Sequence, residues 1–343
     1  MSCPSADRCR MVRIGSATVG VFHPPPLAIW FTELPQWPGG QERPSRWVAI
    51  HGCAGQGRFD FASSDGIAAE ALDLGAALAL AWETLVFLLV DDLTAGFALH
   101  RAVLRNEDGL LLLPGQSGAG KTRLSLWFRS QGFSFETDEF ALLTLDSRNG
   151  DAISASCLPR PAILRNLTTG KGLVQVDDGR TNLVETPSGT DVRIKVGART
   201  SLPKGPVPNM LAVFPCFREN VPLQLTVQSP AQTAFRLLGA CINVRNLPRG
   251  GLAFASRLGQ AIVAVTLTYG DTAQLSGTLD VLARQALAGA PNRKDLSALC
   301  EAFVAKSTRS RGEAEPAALH APHSSRGDDS PLRPAPHNRH DDL

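Results

Sequence analysis

The stretch Leu110–Thr122, Leu-Leu-Leu-Leu-Pro-Gly-Gln-Ser-Gly-Ala-Gly-Lys-Thr, constrains this chain more than any other. Read as G-x-x-x-x-G-K-[ST], it puts Gly115, Gly120, Lys121 and Thr122 where a phosphate-binding loop needs them, with Gln116, Ser117, Gly118 and Ala119 between. Four leucines in a row, after the turn-like Asn106–Gly109, predict a short strand buried on both faces. Pro114 ends that strand. Gly115, Gly118 and Gly120 let the main chain wrap tightly enough for several N–H groups to point at one anion. A helix over Lys121–Ser130, with Leu124, Trp127 and Phe128 on one face, aims its positive end at the same place. In such a loop Lys121 bridges terminal phosphates and the Thr122 hydroxyl is placed to hold Mg²⁺. A merely decorative Gly-rich turn leaves the lysine at the strand–helix junction unexplained.

The rest of the sequence sets limits around this motif. A chain of 343 residues holds one large or two small domains, and 43% hydrophobic with 19% charged residues is ordinary for a soluble globular protein. A formal charge of +2 gives no argument for nucleic acid or membrane partners. The seven cysteines are scattered without a C-x-x-C pair, and the N-terminus has no long apolar core, which points to a reducing cytoplasm. The histidines do not cluster with the cysteines, so a zinc site is not expected. Ile67–Val90 mimics a membrane span, but Glu70, Asp73 and Glu83 interrupt it; the reading is a buried helix leading into a strand.

Three regions follow from the pattern. Residues 1–94 form a small, variable N-terminal portion: strands at Met11–Ile14 and Arg46–His51, a Pro-rich irregular stretch over Phe22–Ser45, and a loop over Gly52–Ser64. Residues 95–305 form the core. Phe97–Leu104 and the leucine strand make a hairpin, Phe133–Phe135 is a short strand, and Phe140–Leu145 pairs with Ala152–Leu158 through a turn at Asp146–Gly150. Gly170–Pro208 is polar, with strand-like pieces at Leu173–Val176 and Val192–Val196. Strands at Met210–Phe214, Leu223–Val227 and Ile262–Tyr269 then alternate with helices at Ala231–Ala240, Leu252–Gln260, Asp271–Ala288 and Asp295–Ala305. In the Asp271–Ala288 helix, Leu275, Leu279, Leu282 and Ala286 share the buried face. From 306 to 343 the composition turns to Ser, Pro, His, Gly and charges, which predicts a disordered tail.

The second half of the chemistry falls on Glu136, Asp138 and Glu139, about one β-α-β step beyond the loop, where strand ends converge over a bound nucleotide. A phosphotransferase needs one carboxylate on Mg²⁺ and often another to take the acceptor's proton. The bland alternative is a solvated turn. His100, alone on the strand before the loop, reads from composition as more often structural than functional.

Taken together, these residues resemble the HPr serine kinase/phosphorylase family, and more closely its shorter bacterial relatives, the HPr-kinase-related proteins. The likeness rests on His100 near the start of the strand before the loop and on Gly115–Thr122, with Thr122 for the usual serine. Gly132-Phe-Ser-Phe-Glu-Thr-Asp138-Glu139 adds the acidic pair, and Pro159-Arg-Pro161, Arg165-Asn166, Pro203-Lys-Gly205 and Leu267–Asp271 are weaker landmarks. The resemblance covers about residues 95–290. It implies an α/β P-loop kinase core with a mixed β-sheet, shared with ATP-dependent carboxykinases. It further implies ATP and Mg²⁺, Asp138 as base toward a seryl hydroxyl, Glu139 with Thr122 on the metal, and His100 near the γ-phosphate or the metal. The acceptor it implies is a small protein or peptide carrying a Ser, and the full-length enzymes leave a homo-oligomer open. The family has two aspartates where this chain has Asp138-Glu139, and the Gly-rich segment tied to phosphorolysis has no copy here. A small-molecule kinase or NTPase on the same frame, and a non-catalytic nucleotide-binding regulator or scaffold, are the alternatives.

Overall fold

The computed structural model describes residues 9–36, 44–53, 57–115, 119–146, 152–160, 162–164, 181–186, 189–194, 206–275, 279–289 and 293–312. The strands in chain order are β1 (Cys9–Ile14), β2 (Ala17–Phe22), β3 (Trp47–Cys53), β4 (Arg58–Ser63), β5 (Ala68–Leu72), β6 (Phe97–Arg105), β7 (Leu110–Pro114) and β8 (Ser134–Thr137). They continue with β9 (Phe140–Asp146), β10 (Ala152–Cys157), β11 (Ala162–Leu164), β12 (Thr181–Thr186), β13 (Gly189–Ile194), β14 (Met210–Phe217), β15 (Gln224–Val227) and β16 (Val263–Tyr269). The α-helices are α1 (Leu74–Asp91), α2 (Lys121–Ser130), α3 (Pro230–Gly239), α4 (Leu252–Ala261), α5 (Leu279–Gly289) and α6 (Arg293–Gly312).

The leucine strand sits at the centre because nothing about it suits water. In the eight-stranded sheet the order is β10-β9-β6-β7-β14-β16-β15, with β8 also on β6. β7, β14 and β16 run parallel, and β6 lies antiparallel to β7. Successive leucines of β7 serve opposite cores: Leu111 and Leu113 pack with α2, α5 and α6, whereas Leu110 and Leu112 pack with α3 and α4. All four are at most 1% exposed, as a strand covered on both faces requires. The fold is thus α/β with a mixed sheet.

β6 changes partner along one edge. Its first half, Phe97–His100, pairs with β9, and its second half, Val103–Arg105, pairs with β8. The turn carrying Asp138 and Glu139 lies at that changeover, where the Arg101 N–H donates to the Glu139 carbonyl at 3.1 Å.

A second sheet, ordered β1-β2-β3-β4-β5, packs against α1, and a small antiparallel sheet holds β11, β13 and β12. The core under α1 does not stop at the N-terminal third: Ala98, Phe140, Leu142 and Leu158 join it.

Several sequence expectations need correction. Where it is described, Gly52–Ser64 is mostly strand and not the expected loop. Val48 to Cys53 pair antiparallel with Ser63 to Arg58, because Phe59 and Phe61 give a strand an inward side. Ile67–Val90 runs strand then helix, the reverse of the expected order. The Asp73 carboxylate accepts from the Ala76 N–H at 2.7 Å and so starts α1 instead of interrupting it. By length and composition α1 alone among the described residues could cross a membrane, yet Leu78, Trp82, Leu85, Leu88 and Leu89 are buried in the protein. Pro25–Phe31 is a 3₁₀ helix inside the stretch expected to be irregular. Asp271–Ala288 is a 3₁₀ turn at Thr272–Leu275 followed by α5, although its four face residues are all buried as expected. α6 runs on to Gly312, past the expected start of the tail. Gln116–Gly118, the turn at 147–150, Leu173–Val176, Arg165-Asn166, Pro203-Lys-Gly205 and residues 313–343 lie outside the described residues.

Candidate active site

The C-terminal ends of three parallel strands close around the start of α2. Gly120, with φ of 90°, turns the chain into the helix. A Cβ there would come 2.6 Å from the Tyr269 hydroxyl and 3.1 Å from Phe217 Cβ, so glycine is needed for space as well as conformation. The Tyr269 hydroxyl at the end of β16 donates to the Gly120 carbonyl at 3.3 Å. The Phe217 N–H at the end of β14 donates to the Ala119 carbonyl at 3.3 Å. Tyr269 belongs to one of the weaker landmarks noted in the sequence. Its packing on the loop had no local signal, since 149 residues separate it from Gly120.

Lys121 opens α2 and reaches back toward the end of β7, its Nζ donating to the Gly115 carbonyl at 2.7 Å. Burial lowers its pKa, and the Asp138 charge opposes that shift. Thr122 is half-buried in the first turn, and α2 has no acidic residue there to repel an anion.

Of the three carboxylates singled out, the structure brings two to this end of the sheet. Glu136 lies within β8 and accepts from Arg105 Nε at 3.1 Å, so it is engaged in a structural pair. Asp138 stands in the turn with its Oδ1 fully enclosed and without a hydrogen-bond partner. Burial pushes its carboxyl up to about 6, against the opposing pull of Arg160, of its own main-chain hydrogen bond and of Lys121. Glu139 forms an ion pair with Arg160 Nη1, and its other oxygen lies 4.0 Å from His100 Nδ1. Burial lowers the His100 pKa, and Lys121 and Arg160 lower it further. That downward shift favours the neutral imidazole over the charged form that the 4.0 Å approach to Glu139 would need to act as an ion pair. Arg160 stands out here more than its sequence context suggested. It was visible only as part of Pro-Arg-Pro, yet it touches Glu139 and acts electrostatically on Asp138 and His100.

The residues suit a magnesium nucleotide. Among the described residues no three His, Cys, Asp or Glu side chains gather into a metal cage. Mg²⁺ does not require one, since it takes one or two carboxylates and completes its shell with phosphate and water. An enclosed carboxylate oxygen lacking a partner, a lysine at a helix start and a glycine that tolerates no Cβ are features expected of a phosphate-and-metal site.

No family model matches the chain, and no curated protein matches it. Among solved structures, the Hpr(Ser) kinase/phosphatase from Coxiella burnetii aligns over 55% of this chain and 94% of its own, at 10% identity and a TM-score of 0.24.

Proposed function

We propose that the chain is an ATP- and Mg²⁺-dependent phosphotransferase that moves the γ-phosphate to a hydroxyl, with a serine of a small protein or peptide as acceptor. The observation that carries this reading is the unpartnered, enclosed Oδ1 of Asp138, which feels the charges of both Arg160 and Lys121. A carboxyl pushed to about 6 is ionised at neutral pH yet still basic enough to accept the hydroxyl's proton as the new P–O bond forms. In this reading the loop amides from Gly115 to Gly120 and the Lys121 ammonium cradle the polyphosphate. Thr122 and Glu139 would hold Mg²⁺, which when bound would supply positive charge to offset that developing on the transferring group. Neutral His100 offers a hydrogen bond beside the γ-phosphate. Fixed orientation and charge neutralisation supply most of the acceleration.

The test is a calorimetric titration with ATP, with and without Mg²⁺, followed by transfer of labelled γ-phosphate to serine-containing peptides or, failing an acceptor, to water. Lys121→Ala should weaken nucleotide binding. Asp138→Asn should keep ATP binding and lose turnover by 10²-fold or more, roughly the contribution of a general base. A scaffold would bind nucleotide and be indifferent to Asp138→Asn in every assay. Absence of Mg²⁺-dependent ATP affinity in the unaltered protein overturns the reading altogether.

A further inference from the structure

A column of stacked rings runs from the N-terminal unit to the edge of the site. His23 stacks on Phe31 at 5.1 Å between centroids, and Phe31 on Trp82 of α1 at 5.4 Å. The Arg160 guanidinium lies 5.5 Å from the centre of the Trp82 ring. Its Nη1 then pairs with Glu139 Oε2. Both ends of that ion pair are anchored to one buried frame. Glu139 directly precedes Phe140, and the Leu158 N–H donates to the Phe140 carbonyl at 3.1 Å. The Arg160 N–H donates to the Leu158 carbonyl at 2.8 Å. Phe140, Leu158 and Trp82 belong to a single apolar cluster.

From this geometry we propose that Arg160, its guanidinium carbon over the Trp82 ring, is a positioning residue. It holds Glu139 in the rotamer that presents its free edge to the metal, so that magnesium affinity depends on the packing of α1. The inference rests on the nucleotide reading given above. An exposed lysine–glutamate pair would do this poorly, because neither partner would have a fixed direction. A planar guanidinium has both, stacking by its face and donating from its edge. The pair is only 21% and 15% exposed at its two side chains, so water competes weakly for either group. Removing a partner that orients a metal-binding carboxylate typically lowers metal affinity by about 10- to 100-fold.

The experiment measures ATP affinity of the full chain by calorimetry, once in excess Mg²⁺ and once in EDTA. Arg160→Gln should reduce the Mg²⁺-dependent gain in affinity about tenfold or more and leave binding in EDTA within about twofold of the unaltered protein. Arg160→Lys, which restores charge without the planar face, should recover only part of the gain. Trp82→Phe, which keeps an aromatic ring in the buried slot, should shift the gain in the same direction by less. If Arg160→Gln lowers binding equally in Mg²⁺ and EDTA, or lowers neither, the positioning role is refuted while the nucleotide reading stands. If the unaltered protein shows no Mg²⁺-dependent gain, the nucleotide reading itself has failed, and the inference with it.

Discussion

Two carboxylates two residues apart in one segment meet opposite fates, and the difference separates structure from chemistry. Glu136 and Asp138 are both pushed upward, burial being the largest cause in each. Glu136 has Arg105 at 3.1 Å to compensate, whereas Asp138 keeps an enclosed oxygen without a partner. Retaining such a group costs stability, and groups of this kind cluster at functional sites. The sign of the cost follows from linkage. A carboxyl at about 6 in the folded protein, against 3.8 ordinarily, binds its proton more tightly folded than unfolded. Stability is therefore greatest below the unfolded value, and is lost as pH rises from about 4 through about 6. Asp138→Asn removes the titration. Its melting temperature, measured in EDTA, should match that of the unaltered protein at pH 4 and exceed it by a few degrees at pH 7. The same variant should be inactive. If the melting curves stay superimposed from pH 4 to pH 8, Asp138 is solvated and the argument for it as a base is lost.

At the scale of elements, the end of β7 and the start of α2 are each fixed by a local stop or start signal. Pro114 stops β7, and Gly120 supplies the one backbone conformation that lets α2 start beneath Tyr269 and Phe217. Gly120→Ala places a side chain at φ of 90° and forces its Cβ to within 2.6 Å of the Tyr269 hydroxyl. The conformational part alone costs about 1–2 kcal/mol, and the overlap adds to it. Chemical denaturation should show that loss, together with weakened ATP binding. Adding Tyr269→Phe should restore part of the stability, because it removes the overlapping hydroxyl, whereas Tyr269→Phe alone should be mildly destabilising. Wherever local pattern decides, this architecture could be read in the sequence: the leucine run, the helix face of Leu124 and Phe128, and the buried stripe of Leu275, Leu279, Leu282 and Ala286. Where a residue's role depends on a partner distant in the chain, it could not. Asp73 reads equally well as a charge breaking an apolar run or as an N-cap, and only the Ala76 N–H decides. Arg160 beside Trp82, and Tyr269 over Gly120, are products of sheet order, which no short window contains.

Across the whole molecule, the N-terminal sheet with α1 is a buttress for the site-bearing sheet. Leu85, Leu88, Leu89 and Leu93 share a core with Ala98, Phe140, Leu142 and Leu158, all at most 2% exposed. Buried Asn243 ties the same joint with polar bonds. Its Nδ2 donates to the Leu93 and Gly96 carbonyls at 3.1 Å each, and its Oδ1 accepts from the Ala98 N–H at 2.9 Å. Asn246 Nδ2 donates to the Val90 carbonyl at the end of α1, at 2.8 Å. A chain cut between residues 94 and 95 would expose the apolar faces of Phe140, Leu142 and Leu158. It would also leave Arg160 without the indole beneath it. Each large apolar side chain returned to water costs about 1.5–3 kcal/mol, and a whole domain is stable by only about 5–15 kcal/mol. Losing three such side chains and the Leu93 partner of Asn243 removes an amount comparable to that whole margin. The fragment 95–312 should therefore be aggregation-prone and bind a hydrophobic dye, and it should show no cooperative melting transition. Co-expression with a separate 1–94 chain should restore a soluble complex, because the joint consists of packing and hydrogen bonds that need no continuous backbone. A fragment 95–312 that melts cooperatively and binds Mg²⁺–ATP unaided would mean that the shared core is dispensable. The link from α1 to Glu139 would then have no structural basis.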